Sequence, residues 1–240
     1  MISSKNKFHS ELLTLIKKNS GKPTQHTYLD SYLGNTHPRY AINVPTLRSI
    51  AKAWSKSHQQ LTAKEFQQLI DSLIHGESAT EKNMAGILLD TSTKAQRTFN
   101  PSCFDEWLEQ LIGWAEVDSV CTGAYAASEI PGQWEIWNRL VIRFSKSKNI
   151  NKRRASLVLL CPPFRKAAND KLAALAFNTI NTLKHEHEIL ITKAISWLLR
   201  CMIKYHRAEV ISFLKENEDS LPKIAVRETM TVIKTGKKTK

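Results

Sequence analysis

The sequence lacks the cysteine patterns that mark zinc-binding and disulfide-stabilised proteins. Its four cysteines, Cys103, Cys121, Cys161 and Cys201, lie far apart and form no CxxC pair. This spacing argues against a structural zinc site and against a disulfide framework. We therefore expect reduced, buried thiols. The last three cysteines follow one another at intervals of 40 residues.

Long apolar runs and several catalytic motifs are also missing. No window reaches the ~18 uncharged apolar residues of a membrane span, and the N-terminus has no apolar segment of signal-peptide length. A Gly-rich phosphate loop, a Ser/His/Asp set and an HExxH motif are absent as well, which disfavours nucleotide hydrolases and metalloenzymes. We expect a cytoplasmic protein with no cofactor and no metal.

The sequence does have a large excess of positive charge. Lys and Arg number 35 against 22 Asp and Glu, which gives a net charge of +13 and a pI near 9.6. Such a surplus repels itself in a compact protein unless an anionic partner screens it. Nucleic acid is the leading candidate partner. A solvated charged face and an anionic membrane surface are the alternatives.

The charge changes sign abruptly along the chain. Residues 98–138 contain seven acidic residues and no Lys or Arg, whereas residues 139–166 contain nine basic residues and no acid. The acidic stretch includes Trp114 and Asp118, and the basic stretch includes Lys152-Arg153-Arg154. A candidate catalytic pair and a candidate phosphate-binding run are therefore close in sequence.

The hydrophobic pattern predicts an all-α protein. Apolar residues recur at intervals of three and four, and Ser, Thr or Pro residues that can open or separate helices stand between the stripes. We expect about twelve helices, paired with a period of ~40 residues, which favours a helical solenoid over a bundle. Residues 1–233 are predicted to form one domain and residues 234–240 a basic tail. The stripes are 12–16, 66–73 and 189–201, and the punctuating residues are Pro45, Thr62, Ser78, Pro101, Pro131, Pro162, Pro163 and Pro222.

Trp114 and Asp118 form the first candidate site. They are four residues apart, so on a continuous helix they project from the same face. An aromatic ring and a carboxylate both stabilise positive charge, and neither needs a metal to do so. The pair suits a cationic substrate or transition state. The alternative is a core Trp beside a capping or solvated Asp.

Two basic clusters form further candidate sites. Lys193, Trp197 and Arg200 share a helical face, which suits stacking or apolar contact with a sugar beside phosphates. The alternative is a core Trp edged by extended Lys and Arg side chains. Lys152-Arg153-Arg154 follow Asn149 near a predicted helix start, where charge and backbone N–H groups can grip phosphate. A solvated charge run is the competing interpretation.

These segments together resemble the AlkD-like family of bacterial DNA alkylation repair glycosylases. The matching pieces stand in the family's order over residues 20 to 232: Val44-Pro-Thr-Leu-Arg48, Trp114-x-x-x-Asp118, Arg153-Arg154-Ala155, Lys193-Ala-Ile-Ser-Trp197-Leu-Leu-Arg200 and Arg227-Glu228. In this chain Gly113 precedes Trp114, where the family pattern has Asn, and Ala115-Glu116 follow it, where the pattern has Asp-Leu.

The resemblance implies both a fold and an activity. The fold would be a right-handed α-solenoid of HEAT-like repeats with a concave basic cleft. The activity would be hydrolysis of the N-glycosidic bond of N3- or N7-alkylated purines in duplex DNA. Asp118 would offset charge and orient water, Trp114 and Trp197 would contact the deoxyribose, and Arg154 would hold a phosphate. The other expected DNA contacts are Arg153, Lys152, Lys193, Arg200 and Arg48.

Other functions remain open on the sequence alone. A non-catalytic HEAT-like module that binds bent or branched DNA would use the same basic surface, and a protein–protein scaffold would show no DNA affinity at low salt. For the glycosylase we expect a monomer with no obligate protein partner and no membrane association. Loss of excision in an Asp118 variant that still binds DNA separates the enzyme from the module.

Overall fold

The part of the chain that the structure describes is built of helices, with one short pair of strands. The computed structural model describes residues 6–24 and 34–237. Strands β1 (Pro23–Thr24) and β2 (Arg39–Tyr40) pair antiparallel, with Pro23 opposite Tyr40. The predicted all-α class is confirmed, and this strand pair is the feature that the sequence pattern did not predict. No helix in the described ranges is both long enough and apolar enough to cross a membrane.

The chain divides into two compact units, 1–123 and 124–240. The assignment of residues 1–233 to one domain therefore stays a prediction, as do the handedness, the concave shape and the basic cleft. The last helix continues to Thr235, so the predicted tail begins within it. Residues 238–240 of that tail lie outside the described residues.

The first unit is built from helices that pack in an overlapping series. In chain order they are α1 (Lys7–Lys18), α2 (Val44–Ser57), α3 (Ala63–Ile74), α4 (Ala79–Thr91), α5 (Phe104–Trp107) and α6 (Gly113–Cys121), with 3-10 turns at Ala95–Arg97 and Pro101–Cys103. Helix α4 contacts α2, α3 and α6. The predicted stripe on α3 is its buried face, since Phe66, Leu69, Ile70 and Leu73 are at most 1% exposed.

Local side-chain caps begin two of these helices where the sequence predicts. The hydroxyl of Thr62 accepts the backbone N–H of Glu65, and the Glu65 carboxylate accepts the N–H of Thr62 in return. Ser78 and Glu81 repeat this capping box at the start of α4. Such boxes satisfy backbone donors that the helix itself leaves unpaired, and each cap is worth about 1 kcal/mol.

The second unit consists of the remaining helices. These are α7 (Ala126–Gly132), α8 (Trp134–Ser145), α9 (Ile150–Val158), α10 (Cys161–Lys166), α11 (Asp170–Leu183), α12 (Ile189–Glu216) and α13 (Lys223–Thr235). Helix α12 contacts α9, α10, α11 and α13, so it forms the centre of this unit. Pro222 stands directly before α13, and Pro162 and Pro163 lie in the first turn of α10. Pro131 instead lies inside α7, just before its end.

Helix α12 consists of two segments joined at a kink, and its buried face differs from the predicted stripe. His206 has non-helical φ and ψ of −129° and 40°, and this marks a kink within the helix. The predicted stripe was partly wrong, because Ile189 is 53% exposed at the helix start. Residues further along supply the buried face: Ile191, Ile195, Leu198 and Met202. Trp197 and Cys201 are consequently partly exposed beside the core.

Candidate functional site

Helix α6 begins with an unusual backbone conformation directly before Trp114. Gly113 has a φ of 77°, in the left-handed region that Gly adopts freely and that Asn tolerates better than most residues. A Cβ on Gly34 would lie 3.4 Å from the Cα of Gly113. A positive φ at residue 113 suits the Gly of this chain, and Asn tolerates the same backbone conformation better than most residues.

Glu116 is part of the structural support of α6. It is fully buried, and its carboxylate accepts the backbone N–H of Ile112 at 2.7 Å and His37 Nδ1 at 2.9 Å. Lys82 is also buried and donates to the Gly76 carbonyl at 2.6 Å. Burial lowers the pKa of Lys82, while the carboxylates of Glu116 and Glu81 oppose that shift. A charged network therefore lies beneath the start of α6.

Trp114 and Asp118 lie on one face of α6, as the spacing predicts. The helix is continuous from Gly113 to Cys121, and both side chains are partly exposed. The carbonyl of Asp118 accepts the N–H and the hydroxyl of Thr122, which closes the last turn. Other residues of α6 form its buried side, namely Val117, Val120 and Cys121. An aromatic ring and a carboxylate thus remain near the surface on a helix anchored from beneath.

The backbones of α4 and α6 come unusually close. A Cβ on Gly86 of α4 would lie 2.1 Å from the carbonyl oxygen of Ser119. No side chain fits at this crossing, so only Gly permits the observed approach. Because Ser119 follows Asp118 directly, the packing of α4 helps to set the position of the carboxylate.

In the second unit, α12 carries Lys193, Trp197 and Arg200. Lys193 is exposed, and Trp197 and Arg200 are partly exposed. Arg200 forms an ion pair with Glu228 of α13 and donates to Ser196 Oγ at 2.6 Å, while Ser196 Oγ donates to Glu228 at 2.7 Å. Two separate segments of the sequence resemblance, 193–200 and 227–228, therefore meet in this contact.

Arg165 is a residue that the sequence analysis did not single out. It is exposed at the end of α10, and its guanidinium carbon lies 5.6 Å from the centre of the Trp197 ring. A guanidinium over an indole face is attracted by the ring quadrupole and restricts the ring. The sequence feature that could have indicated it is the basic pair Arg165-Lys166, which ends a short helix with prolines in its first turn.

The basic run on α9 is more buried than a solvated charge run. Lys152 and Arg154 are 8% and 5% exposed, and Arg154 donates to the carbonyl of Leu190 at the start of α12. Arg153 pairs with Glu186 at 2.6 Å and donates to two carbonyls in the preceding loop. Asn149 caps the helix, which begins where the sequence predicted a helix start. These side chains hold α9 to neighbouring segments of the unit.

Arg48 lies in the first unit, on α2. The side chain of Asn43 caps this helix by accepting the N–H of Thr46 at 2.8 Å, and Pro45 is in its first turn. Arg48 follows about one turn later and is exposed. Trp114, Asp118 and Arg48 thus belong to the first unit, and the remaining predicted site residues belong to the second: Lys152, Arg153, Arg154, Lys193, Trp197 and Arg200.

Comparison with known proteins assigns the chain to one family. The family model of DNA alkylation repair enzymes matches residues 16–233, so the chain belongs to the DNA alkylation repair enzyme family. Among solved structures, the chain is similar to a predicted DNA alkylation repair enzyme from Enterococcus faecalis. The TM-score is 0.71 with 19% identity, over 89% of this chain and 100% of that one. No curated protein matches the sequence.

Proposed function

We propose that this protein is a DNA glycosylase that hydrolyses the N-glycosidic bond of N3- or N7-alkylated purines in duplex DNA. The observation that carries the proposal is the arrangement of α6, where Trp114 and Asp118 share a partly exposed face. Glu116 on the same helix is buried and hydrogen-bonded. Family membership adds support, since it links the chain to repair of alkylated DNA.

The chemistry suits a carboxylate and aromatic rings without a metal. An N3- or N7-alkylated purine already carries positive charge and leaves readily, so the enzyme needs little acid catalysis at the base. Positive charge develops on the sugar as the glycosidic bond breaks. A fixed carboxylate stabilises this charge more in the transition state than in the ground state, which is the requirement for catalysis.

In this proposal Asp118 stabilises the developing positive charge on the sugar and orients the attacking water. Trp114 and Trp197 contact the deoxyribose. Arg165 restrains the Trp197 ring, and this supports such a role. A ring that is already held in place loses less conformational entropy when DNA binds.

Basic side chains supply the DNA contacts. We assign Arg154 to the phosphate beside the lesion, with its guanidinium oriented by the bond to the Leu190 carbonyl. Arg48 and Lys193 are exposed and suit other backbone phosphates. Lys152, Arg153 and Arg200 complete the proposed set, and the ion pairs of Arg153 and Arg200 also fix the helices that carry them.

The test is release of 7-methylguanine and 3-methyladenine from methylated duplex DNA. We expect the native protein to release alkylated purines and Asp118→Asn to slow release by about 100- to 1000-fold, or ~3 to 4 kcal/mol, with little change in DNA affinity. Asp219→Asn is the matched control, since Asp219 is exposed in the loop between α12 and α13.

The results separate the glycosylase from the DNA-binding module. Native protein that binds duplex DNA but releases no alkylated base would be the non-catalytic module. Loss of affinity in Asp118→Asn, together with a lower melting temperature, would instead assign Asp118 to the support of the fold.

A further inference from the structure

Two cysteines that the proposed reaction does not use face each other between α10 and α12. Cys161 is the first residue of α10 and is fully buried, whereas Cys201 on α12 is partly exposed. The Cys201 thiol hydrogen-bonds with the Cys161 thiol and with the Arg165 guanidinium. The thiol pair therefore has one member near solvent and one in the core.

Two contacts hold α10 against α12 on either side of Cys201. Arg165, one turn after Cys161, lies over the Trp197 ring, and the Tyr205 hydroxyl donates to the Lys166 carbonyl at 3.0 Å. Cys201 lies one turn after Trp197 and one turn before Tyr205. Cys201 therefore lies in the packed face between α10 and α12, and its interaction with the Cys161 thiol joins the two helices at this point.

The surroundings of Cys201 favour its reactive form. The hydrogen bond with Cys161 lowers the pKa of Cys201 to about 7; burial opposes this shift, and the positive charges of Arg165 and Arg200 reinforce it. A thiolate is the nucleophilic form of cysteine, so a lowered pKa favours the reactive form of Cys201. Cys103 contrasts with it, because burial raises the pKa of that thiol far above its usual range.

We propose that Cys161 and Cys201 are a redox-active pair that forms a reversible disulfide when a hydroperoxide reaches the partly exposed Cys201. The Cys201 thiolate attacks one peroxide oxygen, the O–O bond breaks, and the leaving alkoxide or hydroxide takes a proton from solvent. Cys201 is then a sulfenic acid. The Cys161 thiol attacks that sulfur, the S–S bond forms, and the S–O bond breaks with release of water. The two thiols lose two electrons in total and the hydroperoxide accepts them.

The pair has the asymmetry that this chemistry requires. The attacking thiol must meet the oxidant, and Cys201 is the partly exposed member. The second thiol must reach the sulfenic acid before further oxidation, and Cys161 is its hydrogen-bonded neighbour. The thiols react whether or not the protein excises bases, so the test of this pair is independent of glycosylase activity.

The experiment treats the reduced full-length protein with a few-fold excess of hydrogen peroxide and then blocks remaining thiols with iodoacetamide. Before blocking, we expect the intact mass to fall by two hydrogens as the pair forms its disulfide. After blocking, we expect peptide mapping to recover a Cys161–Cys201 cross-link that dithiothreitol reverses. Before oxidation, alkylation of Cys201 should be at least about ten-fold faster than that of Cys103.

Single variants assign the order of reaction. Cys161→Ser should leave Cys201 as a sulfenic acid that dimedone traps, and Cys201→Ser should abolish peroxide chemistry at Cys161. Cys103→Ser and Cys121→Ser are the matched controls and should keep the cross-link. Peptide mapping of the native protein decides the question even where a variant folds poorly. The proposal is wrong if both Cys161 and Cys201 are alkylated after peroxide treatment. It is also wrong if Cys201 is oxidised to a sulfinic acid while Cys161 stays a free thiol.

Discussion

Glu116 and Asp118 are only two residues apart, yet their surroundings are opposite. Glu116 is fully buried and accepts hydrogen bonds from Ile112 and His37, whereas Asp118 is partly exposed on the other side of the helix. The helical period predicts that they face different directions. It does not show which of them is buried, because that depends on the loop that brings His37 across α6. The sequence therefore predicted the Trp114–Asp118 face but not the structural role of Glu116.

Glu81 links the stability of the first unit to pH. Burial alone would raise the pKa of Glu81, but hydrogen bonds from His9 and Ser78 outweigh it and lower the pKa to about 2 from an ordinary 4.5. A carboxyl with a lower pKa in the folded state stabilises the fold above its unfolded pKa. This contribution, about 3 kcal/mol, is lost as the pH falls from the ordinary value towards the lowered one.

We therefore expect Glu81→Gln to lower the free energy of unfolding at neutral pH by about 2 kcal/mol, and the difference from the native protein to shrink in acid. Urea unfolding followed by circular dichroism across this pH range measures both. Glu65→Gln is the matched control, since Glu65 forms the same capping box at an exposed helix start. A difference that is constant with pH would show that Glu81 acts through packing alone.

Helix starts were the elements that the sequence predicted best. Thr62, Ser78 and Asn149 act on backbone N–H groups within their own first turn, so local chemistry suffices to place them. The contacts of Arg165 with Trp197 and of Arg200 with Glu228 join different helices. Neither follows from a local pattern, because each depends on which helices pack together.

The crossing of α4 and α6 gives a sharp test at the scale of elements. Gly86→Ala places a methyl group 2.1 Å from the Ser119 carbonyl oxygen, and a backbone atom cannot rotate away. The helices must move apart, and overpacking of this kind costs about 1 to 3 kcal/mol. We expect a lower melting temperature and, under the proposed function, slower excision because Asp118 moves with Ser119.

The matched control for this change is Gly132→Ala. Gly132 is in the last turn of α7, and an added Cβ there meets no atom within 4 Å. Alanine favours a helix over glycine by up to about 1 kcal/mol, so this variant should be neutral or slightly stabilised. Equal melting temperatures for Gly86→Ala and the native protein would mean that α4 and α6 adjust without strain.

At the scale of the whole chain, the charge switch does not coincide with the boundary between units. The acidic stretch 98–138 extends past residue 123 into the second unit. The most concentrated basic run is largely buried, since Lys152 and Arg154 are at most 8% exposed. The positive net charge predicted an anionic partner, and this agrees with membership of a DNA repair family. It could not show which cations stay at the surface, because burial is set by packing.

Salt dependence tests which cations meet DNA. Each phosphate contact releases counterions, so removing one should reduce the slope of log affinity against log salt by about 0.9. Arg48 and Lys193 are exposed and are the most direct candidates. We expect Arg48→Gln and Lys193→Gln each to flatten the slope by that amount, and the double variant by about twice as much. Fluorescence anisotropy with duplex DNA over a range of salt concentrations measures the slopes.

The control for the salt experiment is Lys64→Gln, an exposed lysine on α3 that the proposed contacts do not include. It removes the same charge from the net +13. If long-range attraction to the whole protein dominated binding, all three single variants would change affinity alike, because each alters the total charge equally. If bound phosphates dominate, only Arg48 and Lys193 change the slope, since counterions are released where a cation meets the backbone. Equal slopes for all variants would remove both residues from the proposed DNA contacts.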